Sequence, residues 1–113
     1  MKNPLGITLN QQEYVQFIID KIEDMKARDI VQINVEGKST ITDVLIVCSG
    51  NSKKHVSSIA ENLVVEMKAA NMPPLSVEGK ETGEWVLVDL GNVVVHVMQD
   101  ETRDFYQLEK LWQ

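Results

Sequence analysis

Apolar residues change their spacing several times along this chain, and each change marks an element. Over 11–28 the apolar positions are Tyr14, Phe17, Ile18, Ile22 and Met25. Steps of three and four place them on one face of a helix, with Asp20, Lys21, Glu23 and Asp24 on the wet side. Residues 29–36, with Ile30, Ile33 and Val35, are β-rich but alternate imperfectly, and Gly37-Lys38-Ser39-Thr40 reads as a turn. Residues 41–49 read as a strand. Its unbroken run Val44, Leu45, Ile46, Val47, Cys48 suits burial on both faces. Ser49-Gly50-Asn51-Ser52 then makes a turn ending in a helix cap. Val56, Ile59, Ala60, Leu63, Val64 and Met67 follow helical spacing until Asn71 and Pro73-Pro74 stop it near Ala70. With the extended segment 75–78, this strand and helix form a βαβ-like unit, which implies a parallel, right-handed crossover.

The next stretch is the most informative. Residues 85–90 and 93–98 are strands flanking Gly91-Asn92, a strong two-residue hairpin signal. That turn fixes the pairs Leu90–Val93, Asp89–Val94, Val88–Val95, Leu87–His96, Val86–Val97 and Trp85–Met98. Paired residues share a face. One face is then Val86, Val88, Leu90, Val93, Val95 and Val97, all aliphatic and suited to lie under helices. The other is Trp85, Leu87, Asp89, Val94, His96 and Met98. Such a mixture fits a partner interface, rich in large apolar groups with a few polar ones. It fits equally a face covered by a helix of the same chain, with Trp85 as ordinary core. Residues 102–112 predict one closing helix, anchored to the sheet by Phe105, Leu108 and Trp112. Arg103, Tyr106 and Lys110 would form a separate outward stripe.

The expected architecture is α/β in the order αββαβββα, a single mixed sheet of about five strands with helices mainly on one face. Residues 1–10, punctuated by Pro4, Gly6 and Asn10, read as a flexible arm before one domain at 11–113. Net charge −6 disfavours nucleic acid as the main contact and no apolar run is long enough for a membrane span. An acidic chain suits a basic partner, although acidity can also serve solubility alone. Nothing in 1–12 resembles a leader, so the cytoplasm is the expected compartment. One cysteine, Cys48, excludes an internal disulfide.

Little in the chain points to chemistry. Gly37-Lys38-Ser39 resembles the end of a P-loop, but the glycine that motif needs five residues earlier is Gln32. The turn before Lys53 could hold an anion at a helix N-terminus or could simply be a cap. The strand–turn–strand pattern with Asp43 suggests a nucleotidyltransferase-like frame. The second metal-holding carboxylate should stand at alternate spacing on the same strand, where the sequence has Leu45. His55 and His96 have no ligand partners at metal spacing, and Cys48 sits in an apolar run. Asp89 and His96 could meet diagonally, yet no nucleophile accompanies them. No catalytic residue, metal or cofactor is expected.

Taken together, these residues resemble the ribosomal silencing factor, or Iojap-like, family. The resemblance runs from about Tyr14 to Trp112. It rests on VQFIIDKIEDMKARDI (15–30), ITDVLIVCSGNSKKHVSSIAENL (41–63) and VEGKETGEWVLVDLGNVVVHVMQDETRDFYQLEKLW (77–112). It implies a nucleotidyltransferase-like fold without the active site, and a protein that is often homodimeric when free. It also implies binding to the large-subunit ribosomal protein numbered fourteen, which keeps the small subunit from joining and lowers translation when nutrients are short. The expected partner-binding residues are Trp85, Leu87, Asp89, Leu90, Val94, His96, Met98, Arg103, Tyr106 and Lys110. The competing reading is a nucleotide-binding or nucleotidyl-transferring enzyme on the same frame.

Overall fold

A computed structural model describes residues 9–112. Helix α1 (Gln11–Asp24) begins in a reciprocal cap: Asn10 accepts from the Glu13 amide at 2.8 Å, and Glu13 accepts from the Asn10 amide at 3.2 Å. Strands β1 (Arg28–Asn34) and β2 (Val44–Gly50) follow, then helix α2 (Lys53–Ala69). The remainder is β3 (Ser76–Glu78), β4 (Trp85–Asp89), β5 (Val93–Gln99), and two short helices, α3 (Asp100–Tyr106) and α4 (Leu108–Leu111). The expected arm at 1–10 lies outside the described residues up to residue 8. Beyond that, Leu9 packs on the core and Asn10 serves as the cap.

One five-stranded sheet has the order β1-β2-β5-β4-β3. Only β2 and β5 pair in parallel; the other pairs are antiparallel. β3 therefore runs parallel to β2, with two strands between them. The βαβ-like crossover is parallel as expected, but it spans neighbours that do not touch. β2 is buried at every position, as its apolar run demands.

α1 and α2 cover one face of the sheet. There Tyr14, Ile18, Ile22, Ile59, Leu63 and Met67 meet Ile46, Cys48, Val86, Val88, Val95 and Val97 in the main core. The hairpin register is the expected one at every pair from Trp85↔Met98 to Asp89↔Val94, and the Leu90 amide closes it on the Val93 carbonyl. The opposite face carries a smaller cluster, Ile33, Val35, Leu45 and Val94, against which Val31, Leu87 and Trp112 pack. The chain's own C-terminal segment thus covers part of that face.

This covering segment differs from the expected single helix at 102–112. Gln107 adopts the left-handed conformation (φ 47°) and splits the helix in two. The break resets the phase, so the anchors change. Leu108 and Trp112 turn inward as expected, but Phe105 is 80% exposed and anchors nothing.

Gly79 (φ +89°) sets the entry into β4, and a Cβ there would collide with the Trp85 carbonyl oxygen. Gly37 (φ +82°) has open space where a Cβ would go. Gly37→Ala should therefore cost only conformational strain, about 1 kcal/mol, while Gly79→Ala should cost at least about 2 kcal/mol. Urea unfolding with an unchanged slope is the measurement. Equal losses would show that the turn at Gly79 gives way freely.

Candidate functional site

The second sheet face is only partly covered, and a groove of about 340 Å³ stays open on it. Its floor is Leu45, Leu87, Val94 and His96. Leu108 and Trp112 line it from the C-terminal segment, and Ile41, Glu78 and Asp89 join the hydroxyl residues Ser39, Thr42 and Ser76 in the rest of the lining. β2, β4 and β5 deliver the floor residues through period-two alternation, the opposite set from the main core.

Beside the groove lies an aromatic cluster. The Trp85 and Tyr106 rings sit 4.9 Å apart, and Phe105 meets Tyr106 edge-on at 5.0 Å. Both separations lie in the favourable range for tilted aromatic pairs. Trp85 is half-buried and Tyr106 exposed. The indole Nε1–H of Trp85 donates to His96 Nδ1 at 3.0 Å, joining the cluster to the groove floor. Burial pushes the His96 imidazole down to about 4, so the ring is neutral at pH 7.

A polar latch holds α3 in place. Arg103 is bonded through Nη1 to Ser49 Oγ at 2.8 Å and through Nε to Glu109 at 2.7 Å. Arg28 reaches Asp100 at 2.8 Å and also Asn51. The Arg28 hydrogen bond holds the Asp100 carboxyl below its ordinary range, with burial opposing and Ser49 and Arg103 assisting.

These contacts correct several expectations and bear out two, the cap at Ser49–Ser52 and the turn at Gly37-Lys38-Ser39. Met98 is fully buried where α3 lies against β5, so it cannot belong to an exposed patch. Leu90 belongs to the main core on the helical face. Val94 is buried at the groove floor. Arg103 is consumed by the latch, its side chain only 11% exposed, so it forms no outward stripe with Tyr106 and the exposed Lys110. Asp89 accepts from the Gly91 amide and not from His96, so the diagonal acid–imidazole pair is not made. The turn at Ser49–Ser52 works as a cap: Ser52 accepts from the His55 amide, and the Asn51 amide donates to His55 Nδ1. Gly37-Lys38-Ser39 is a turn, with Lys38 reaching the Trp112 carbonyl.

The sequence matches, over residues 8–113, the family described as "Ribosomal silencing factor during starvation". A ribosomal silencing factor RsfS of Haemophilus influenzae is 47% identical over 98 residues, covering 87% of this chain and 96% of its own. The chain belongs to the ribosomal silencing factor family. Within that family, the RsfS of Bacillus subtilis is 38% identical over 104 residues, covering 92% of this chain and 88% of its own. A Chromobacterium violaceum crystal structure superposes with a TM-score of 0.89 at 38% identity, covering 92% of this chain and 87% of that one. "Mitochondrial assembly of ribosomal large subunit protein 1" of Mus musculus is 35% identical over 101 residues, covering 87% of this chain and 44% of its own.

In this family member, sequence reasoning missed the exposure of Ile41 at the groove, of Phe105 beside Tyr106 and of Leu111 on α4. Ile41 stood in a strand pattern and Phe105 in an anchoring stripe. No local signal marked the break at Gln107.

Neutral His96 links stability to pH. An unfolded chain takes up a proton as pH falls through about 6.5, while the folded ring resists until about 4. This group's contribution is therefore constant above pH 6.5, falls between 6.5 and about 4, and levels off below. The interval corresponds to roughly 3 kcal/mol. His96→Gln should lose that part of the slope in denaturant titrations at stepped pH. Parallel curves for variant and wild type would contradict it.

Proposed function

We propose that this chain docks on the large ribosomal subunit through the face carrying Trp85, Leu87, Asp89, His96 and Tyr106. By occupying a surface that the small subunit needs, it represses translation, as under nutrient limitation. The protein met there is the large-subunit ribosomal protein numbered fourteen. The free chain pairs as a homodimer, and it works in the cytoplasm.

The single observation that carries this reading is the open apolar groove with its aromatic neighbours, on the one sheet face not closed by α1 and α2. Family membership and the mouse relative's name, which speaks of the large ribosomal subunit, supply the kind of partner. Net charge −6 suits a basic protein surface. A standard interface buries about 1,600 Å² in total, within reach of one sheet face plus a terminal helix.

The mechanism is steric, with no bond made or broken. A nucleotidyltransferase would need a carboxylate at alternate spacing from Asp43. That position is Leu45, whose side chain instead lines the groove.

Co-sedimentation with purified large subunits, with and without small subunits, tests the reading. Wild-type chain should pellet with large subunits and reduce their pairing with small ones. Trp85→Ala should weaken capture about thirtyfold, as interface tryptophans commonly do, and remain folded. Tyr106→Ala should mainly speed release, while Lys110→Glu at the rim should mainly slow capture at low salt. Normal binding by Trp85→Ala would remove this face as the docking surface.

A further inference from the structure

His96 has a donor that no described residue uses. An indole nitrogen can only donate, so His96 Nδ1 accepts the Trp85 N–H, and the neutral ring carries its own hydrogen on Nε2. Among the described residues nothing accepts from Nε2, and no buried side-chain polar atom is both sealed off and unpaired. Nε2 therefore reaches open space, although the residue as a whole is only 7% exposed. The space that His96 lines is the groove. An unpaired imidazole N–H thus belongs to the lining of a recess floored by Leu45, Leu87 and Val94.

Among the described residues, Glu78 and Asp89 line the groove and no Lys or Arg does, with Lys38 reaching only the Trp112 carbonyl at its edge. An acidic ligand would be repelled, so the acceptor for Nε2–H should be neutral, and any flanking charge should be positive. A polar group enclosed on docking must find a partner or lose affinity, which makes the unpaired donor selective.

Resting on the docking surface proposed above, we infer that His96 is its specificity-determining donor. A basic protein segment of the ribosome places an aliphatic side chain in the groove, offers a main-chain carbonyl to His96 Nε2–H, and turns its cations to Glu78 and Asp89. Trp85 has a second task beyond contact: its N–H locks the imidazole in the tautomer that presents this donor.

The test compares wild type, His96→Gln, His96→Leu and Trp85→Ala in equilibrium binding to salt-washed large subunits, after unfolding curves establish that each is folded. His96→Leu should weaken binding about tenfold. His96→Gln, whose amide N–H can reach the position of Nε2, should stay within about threefold of wild type. Long-range nitrogen–proton NMR of the free protein should show the Nε2–H tautomer, and Trp85→Phe should produce a mixture of the two forms. The wild-type readout depends neither on the ribosome nor on any variant folding. An Nδ1–H tautomer in the wild type would overturn the inference. So would full binding by His96→Leu alongside loss by Trp85→Ala, a result that spares the docking face itself. Full binding by both variants would defeat the face and the inference together. A change in self-association by sedimentation with subunit binding intact would give the groove to a second copy and overturn the inference.

Discussion

The pairing of Val88 with Val95 across the turn at Gly91 and Asn92 decides which side chains enter the main core and which leave it. A slip of β4 by one residue would bring Trp85 and Leu87 under α1 and α2 and turn Val86 and Val88 outward. The parallel partner β2 reinforces the register, since it is buried on both sides and pairs with β5 along its whole length. With the valines committed to the helical side, the second face must carry the remaining large groups. They lie close enough there for one tryptophan to hold one histidine.

Part of that second face is then closed by the chain itself. The left-handed turn at Gln107 lets α4 fold back so that Leu108 and Trp112 reach the sheet, while Phe105 and Tyr106 stay outside. Arg103 supports this arrangement from beneath, tying α3 to Ser49 at the end of β2 and to Glu109 beyond the break. The outcome is neither of the simple alternatives for an amphipathic sheet face. It is a shallow wall-and-floor groove, bounded by a segment of modest length and carrying an aromatic cluster at one end. The recess is apolar along most of its floor and acidic along part of its lining.

Most of the fold was legible because its signals are local. Helical spacing gave α1 and α2, the apolar run gave β2, and Gly91-Asn92 gave the hairpin and its faces. The site was legible as far as alternation reaches: Trp85, Leu87 and His96 do share the groove side with Tyr106 nearby. What escaped is non-local. Met98 shares the parity of Trp85, yet α3 lies against its strand and the residue is fully buried. Arg103 looked like a free charge because Ser49, its partner, is distant in sequence. Gln107 has no side-chain preference for positive φ, so the break that exposes Phe105 comes from packing and could not be seen in the sequence.

The central claim is geometric: the Trp85 face meets the large subunit, and the α1–α2 face does not. Hydroxyl-radical footprinting of the chain alone and bound to large subunits addresses it directly, because oxidation reports side-chain access residue by residue. Trp85, Tyr106, Phe105 and Leu111 should become protected on binding, while Phe17 on α1 and Val65 on α2 should be oxidised as before. Protection of Phe17 and Val65 with Trp85 and Tyr106 unchanged would contradict the account.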